Sequence, residues 1–283
     1  MKGYKFLPIL CFLLFSSTAF SRSKSQTMED SIESKVLDVT RKYSVYLPKS
    51  YSTSTDKKYP VLYLLHGHSH RNHDWIEDGK LQEIADKLIN SGEAEEMIIV
   101  TPDAGRVRDG YFNTEGWAYE TFFFEEFIPF IENKYRIISS QSARAIAGFS
   151  MGGGGATAYA LKHPQMFSSV YAMSALMTLP KQERAPMMNP EMAQFGTSIL
   201  ANDCINLVTY FDLATLEKLR QVRWFVDCGD DDFLLDGNLE FHRAMREAKV
   251  PCELRIRDGN HDWKYWSSSL YIALPFVSEG FRK

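Results

Sequence analysis

Gly148-Phe149-Ser150-Met151-Gly152 is the stretch of this sequence best suited to chemistry. The mostly apolar run 143–149 reads as a short buried strand. Ser150 follows at once, and the glycines 152–155 with the small residues to Leu161 read as a helix. A serine on a sharp strand-to-helix turn pushes its hydroxyl clear of a sheet, and flanking glycines let neighbouring backbones close in. The helix N-terminus adds positive dipole where negative charge would develop. The spacing therefore suits attack on a carbonyl carbon. Glycine-rich turns of this kind also cradle phosphates. This one lacks the G-K-[ST] ending and the G-x-G-x-x-G spacing that such sites use.

A serine hydroxyl is a weak nucleophile until a base takes its proton, and the base needs an orienting acid. Of the seven histidines, only His261 follows both Ser150 and a late strand, on a loop with Gly259 and Asn260. His163 sits at a helix end and His242 within a helical run. The acid should follow the preceding strand, where Asp230, Asp231 and Asp232 stand in a row. Spacing does not choose among them, and a solvated acidic turn or a cation site would look the same. Two backbone N–H groups must also meet the developing oxyanion. Met151, after the serine, supplies one, and His68, in Leu65-His66-Gly67-His68, the other. That loop has a rival use. His66, His68, His70 and His73 approach a zinc-binding H-x-H-x-D-H pattern. They depart from it at His70 and Arg71, and zinc would leave Ser150 and its glycines unexplained.

These residues must be carried by alternating strands and helices. Continuous apolar runs at 61–65, 97–100, 143–149, 168–173 and 222–227, with 253–257 last, read as strands covered on both faces. Helical spacing links them at 81–89, 122–135, 239–249 and 267–281, with Pro129 as a kink and Glu125, Glu126 and Glu132 facing water. Segments 36–39 and 42–47 read as antiparallel edge strands. The order predicts an α/β fold with a mostly parallel sheet and helices on both faces. Residues 176–221 break the rhythm, with Pro180, Pro186 and Pro190 and one clear helical run, and read as a lid-like insertion before the acid-bearing strand. Trp75, Trp117 and Trp263 are candidate substrate-facing aromatics, although at 13% aromatic content some would flank any cleft.

The chain has 283 residues, 45% apolar and 24% charged, with formal net charge −4. That composition is globular, and with no basic block it argues against a nucleic-acid partner. Lys2 and Lys5 precede an apolar stretch at 6–15 that is too short to span a bilayer, and Ala19-Phe20-Ser21 suits cleavage. Residues 1–21 are therefore expected to be a signal peptide, which implies a periplasmic or secreted protein with no membrane association after cleavage. Loss of two lysines and no acid would take the charge to about −6. Residues 22–33 read as a flexible tail, and 34–283 as the catalytic domain. Cys204, Cys228 and Cys252 remain, with no pairing of Cys228 to Cys252 expected, since they fall at opposite strand ends.

Five motifs in order resemble the esterase D-like branch of the α/β-hydrolases, which includes carbohydrate esterase family 1. They are Leu65 to His68, Tyr119 to Glu132, Gly148 to Gly153, Cys228 to Leu234 and Gly259 to Trp263. The resemblance spans about residues 40–280. It implies an α/β-hydrolase fold with Ser150 as nucleophile, Asp232 as triad acid and His261 as base, and it calls for no cofactor or metal. It implies a serine esterase, and the expected export favours feruloyl or acetyl esters of plant polysaccharides or oligosaccharides over a cytosolic thioester. Family members often carry further glycines after Gly67, where this chain has His68, Ser69 and His70. Alternatives are a tributyrin-type short-chain esterase, an S-formylglutathione hydrolase-like thioesterase, the zinc hydrolase above, and a non-catalytic glycan-binding relative.

Overall fold

The computed structural model describes residues 24–105, 110–180 and 190–282. The expected signal peptide lies outside them. The strands are β1 (Gln26–Ser34), β2 (Val39–Leu47), β3 (Val61–Leu65), β4 (Ile98–Pro102), the short pair β5 (Asn113–Thr114) and β6 (Trp117–Ala118), β7 (Arg144–Phe149), β8 (Ser169–Met173), β9 (Arg223–Gly229) and β10 (Glu253–Arg257). Eight form one sheet in the order β1-β2-β4-β3-β7-β8-β9-β10. β1 and β2 run antiparallel to their neighbours, and every pairing from β4 to β10 is parallel.

The central strands are mostly apolar, and the polar residues they do carry, such as Arg144 and Asp227, are buried, because both faces are covered. Alternation along β3 shows this directly. Val61, Tyr63 and Leu65 enter one core, and Leu62 and Leu64 enter the core on the opposite face. The helices are α1 (Asp74–Glu77), α2 (Leu81–Ser91), α3 (Tyr119–Phe122), α4 (Ile128–Lys134), α5 (Met151–Lys162), α6 (Pro190–Ala201), α7 (Cys204–Tyr210), α8 (Leu213–Leu219), α9 (Leu235–Glu247) and α10 (Trp263–Phe281). α2 and α10 cover the second face with Leu81, Leu88, Trp266, Leu270 and Leu274. A π-helical turn, Phe123–Phe127, joins α3 to α4 and sends Phe123 and Phe127 into the first core.

Several expectations need correction. The flexible tail is for the most part strand β1, paired with β2 along all nine residues. Its polar sequence is that of an edge strand with one partner, and only Ile32 and Ser34 are buried within it. Residues 36–38, expected to be strand, form the hairpin turn, with Asp38 at φ 52. Glu126 holds that turn by accepting from the Ser34 hydroxyl and the Lys35 and Val36 N–H groups. Glu132 does not face water. It is paired with Arg144, 2.6 Å away, at 9% and 8% side-chain exposure. Stripping one partner from so buried a pair costs about 3–5 kcal/mol.

The segment before β9 is more helical than its prolines suggest. Asp203 caps α7 by accepting from the Ile205 and Asn206 N–H groups, and Asp212 caps α8 through Thr215. Cys204, Val208, Leu216 and Leu219 belong to the first core, so α7 and α8 are structural rather than lid-like. α6 is the part that reaches the loop after β3, through Phe195 against His68. Cys204, Cys228 and Cys252 are all free thiols. Burial is the main cause that pushes each thiol pKa up, Cys252 to about 12.

Candidate active site

Ser150 sits between β7 and α5 at φ 53 and ψ −123, a conformation that L-residues rarely adopt. Such a residue costs about 1–3 kcal/mol, which surrounding contacts must offset. Here they are backbone contacts. The Ser150 N–H donates to Met173 O at 3.0 Å, and its carbonyl accepts from Gly154 and Leu176. The flanking glycines are required by close approach. A Cβ on Gly148 would come to 2.5 Å from the Gly152 carbonyl, and one on Gly152 to 2.5 Å from His66 O.

His261 lies on the loop between β10 and α10, and its Nε2 is 2.9 Å from Ser150 Oγ. Its Nδ1 is 2.9 and 3.1 Å from the Asp232 carboxylate oxygens. A carboxylate only accepts, so Nδ1 carries the proton and Nε2 is left to accept from the serine. Asp232 also accepts from the Leu234 N–H at 2.9 Å. Burial would raise its pKa, but His261 and the Leu234 N–H outweigh that and hold it below the usual value. The three aspartates differ plainly in place. Asp230 and Asp231 are exposed, whereas Asp232 is buried.

The loops bearing Asp232 and His261 are bound to each other. The Asp230 N–H donates to Arg257 O, the Asp231 N–H to Gly259 O, and the Gly259 N–H to Asp230 Oδ1. Beneath them lies Asp227, wholly buried on β9. It accepts from Tyr171 OH at 2.8 Å, Tyr265 OH at 2.6 Å and Arg257 Nη2 at 2.9 Å. Arg257 also donates to Ser268 and Ser269. Arg257 stands four residues before His261 and Tyr265 four after, so one carboxylate fixes both ends of the histidine loop. An acid between the apolar residues Trp224-Phe225-Val226 and Cys228 is the sequence signal for this.

Across Ser150 lies the loop after β3. Met151 occupies the first position of α5, where a backbone N–H has no intrahelical acceptor. His68 follows Gly67, whose α-carbon lies against the Phe149 ring. The His68 carbonyl accepts from His70 Nδ1, and its ring lies 5.1 Å from that of Phe195. His66 is buried and neutral. Its Nε2 accepts from the Ala104 N–H at 3.0 Å, so Nδ1 donates to Gly67 O at 2.8 Å. Burial pushes its pKa down to about 4. Tyr111 OH accepts from the His66 N–H and donates to the His66 carbonyl.

The four histidines do not converge as a ligand set. Both His66 nitrogens are taken by backbone, His70 packs among Phe149, Trp263 and Trp266, and His73 faces Asp74 and Glu29. Among the described residues no group of three or more His, Cys, Asp or Glu side chains is placed to hold a metal ion.

The candidate aromatics divide. Trp75 has no exposed surface and donates from Nε1 to Leu65 O, so it supports the end of β3 and cannot meet a substrate. Its burial could not be read from composition. Trp263 is half-buried against Trp75 and Phe149. Trp117 is half-buried, stacked on Tyr119 and bonded to Gly110 O. Sequence reasoning missed Phe233, which is 59% exposed with its ring 4.6 Å from that of His261.

A serine after β7, an aspartate after β9 and a histidine after β10, on strand-end loops of a mostly parallel, helix-covered sheet, define an α/β-hydrolase. The Esterase family model, described as "Putative esterase", matches residues 34–277, and the chain belongs to that family. It is a carboxylic ester hydrolase. A solved ferulic acid esterase is 53% identical, superposes with a TM-score of 0.89, and aligns over 91% of this chain and 99% of its own. The acetyl esterase of Caldicellulosiruptor saccharolyticus is 24% identical, over 77% of this chain and 83% of its length. The S-formylglutathione hydrolase of Bos taurus is 27% identical, over 91% and 93%. Of two longer endo-1,4-beta-xylanase relatives this chain spans only 20% and 11%.

Proposed function

We propose that this protein is an exported serine esterase that removes feruloyl or acetyl groups from plant polysaccharides or oligosaccharides through an acyl-enzyme. The observation that carries the reading is the unbroken hydrogen-bonded path from Ser150 Oγ through His261 to Asp232. In the proposed reaction His261 Nε2 takes the Ser150 proton as Oγ attacks the ester carbonyl carbon. Asp232 keeps the ring in the required tautomer and stabilises the imidazolium. The Met151 and His68 N–H groups receive the oxyanion. As the acyl–oxygen bond breaks, His261 returns the proton to the departing alcohol. Water then attacks the acyl-enzyme by the same route in reverse order of roles.

Similarity to a ferulic acid esterase and to an acetyl esterase supports the choice of acyl groups. Ser150→Ala should abolish hydrolysis of p-nitrophenyl acetate while circular dichroism stays unchanged. Activity retained in that variant would sink the proposal. Ferulate and acetate released from arabinoxylan fragments, measured side by side, decide the acyl group. A second reading, thioester hydrolysis, draws on the full-length bovine relative. Turnover of S-formylglutathione faster than of any oxygen ester would favour it. Export rests on the N-terminal sequence pattern alone. Cell fractionation that left the chain in the cytoplasm with residues 1–21 intact would remove it.

A further inference from the structure

We propose that Phe233 is the platform for the sugar of the departing alcohol, and that it sets a preference for saccharide esters over simple alkyl esters. The inference rests on the esterase reading above. In that reaction the Ser150 Oγ–carbon bond forms and the carbon–alcohol oxygen bond breaks. The proton lost by Ser150 goes by way of His261 Nε2 to that alcohol oxygen. The oxygen must therefore come within hydrogen-bond reach of Nε2, about 3 Å. The rest of the alcohol then lies beside the His261 ring, away from the Met151 side where the oxyanion forms.

Two aromatic rings flank His261. Trp266 lies at 5.0 Å and is buried, so it is not available to a ligand. Phe233 lies at 4.6 Å and is open to solvent. A single exposed phenylalanine is ordinary. This one is held in place. Its neighbours Asp232 and Leu234 are both buried. The turn is pinned by the Leu234 N–H on Asp232 Oδ1 and the Leu235 N–H on Asp232 O, each at 2.9 Å. With both neighbours turned inward, Phe233 must project outward, next to the one side chain the leaving group has to touch.

The surroundings suit a polyhydroxy ligand. A sugar presents C–H faces to an aromatic ring and hydroxyls around its edge. Asp231, two residues before Phe233, and Asn260, directly before His261, are both exposed and offer polar groups close to the two rings in the chain. A methyl group in the alcohol position is too short to extend across His261 to Phe233, whereas a pentose or hexose ring is not. The acyl group lies elsewhere, so the effect of Phe233 should follow the alcohol and ignore the acid.

The test compares two esters with one acyl group, methyl ferulate and feruloyl-arabinosyl xylobiose, in wild type, Phe233→Ala, Phe233→Leu and Phe233→Trp. Phe233→Ala should lose about tenfold in kcat/KM on the saccharide ester, with methyl ferulate within about twofold. Phe233→Trp should keep the wild-type ratio, and Phe233→Leu should resemble alanine. An equal fall on both esters would overturn the proposal, since Phe233 would then act by shaping His261. An unchanged ratio would overturn it too. If wild type cleaves neither ester while it still hydrolyses p-nitrophenyl acetate, the feruloyl reading fails instead. Calorimetry with unesterified arabinoxylo-oligosaccharide then decides the platform on its own. Weaker binding by Phe233→Ala supports it, and equal or absent binding in both proteins overturns it.

Discussion

His261 and Asp232 stand on loops tied together by charge. Asp227, wholly buried, draws in Arg257 and two tyrosine hydroxyls and so fixes the loop at both ends. The loop of His66 to His68, on the other side of Ser150, is tied by neutral groups and by volume. His66 is uncharged and bonded to backbone, Gly152 lies against its carbonyl, and Gly67 lies against Phe149. The two halves of one site should therefore fail differently. Removing a charge at constant shape should damage the first, and adding a single carbon should damage the second.

The largest effect expected is in the charged half. Asp232→Asn keeps the shape but removes the acceptor that fixes the His261 tautomer, so kcat should fall about 10³–10⁴-fold. Steady-state kinetics on p-nitrophenyl acetate measure this. A loss under tenfold would assign the orienting role elsewhere. In the neutral half, Gly152→Ala places a methyl group on the carbonyls of Leu65 and His66, which are backbone and cannot turn aside. It should displace the oxyanion loop and cost about 10²-fold in kcat, whereas an isosteric charge change there has nothing to remove. Full activity in Gly152→Ala would break the contrast.

Asp227→Asn tests the clamp. It leaves Arg257 without its buried partner, so stability should fall by about 3 kcal/mol, read from urea midpoints. Acid should separate the halves as well. His66 has a folded pKa of about 4, below the ordinary histidine value of about 6.5. The unfolded chain then binds the extra proton first, so stability from this group is full above pH 6.5 and drains away towards pH 4. The loss is about 3 kcal/mol, and His66→Gln should flatten that window. The Asp232 pKa is also lowered, so its contribution is present above the ordinary aspartate value and is lost only as pH falls below it. The smallest effect belongs to Asp230→Asn. Asp230 is exposed and accepts only a backbone N–H near the site, so activity should stay within about twofold.

What could be read from the sequence follows the same physics. Strands β3, β4, β7 and β8 were legible because burial on both faces makes them mostly apolar. β1 was not, since an edge strand with one partner can be nearly all polar. Ser150 and His261 were legible because a strand-turn-helix serine and a late loop histidine leave few alternatives. Asp232 needed the family resemblance. What singles it out is that the loop turns it inward between exposed neighbours, and three aspartates in a row do not encode that. Trp75 was misjudged for a related reason, as an aromatic beside a site and one beneath it have the same letter. Phe233 was quoted only as part of a motif, although its outward position follows from the inward turn of Asp232.

The three thiols among the described residues carry a practical consequence for handling the enzyme. Thiolate, not thiol, is the species that oxidises or exchanges, and burial keeps these sulfurs protonated far above neutral pH. No cross-link contributes to the fold among the described residues. Activity and melting temperature should thus be the same in dithiothreitol and in air, and a reducing host should yield the same active protein as an oxidising one.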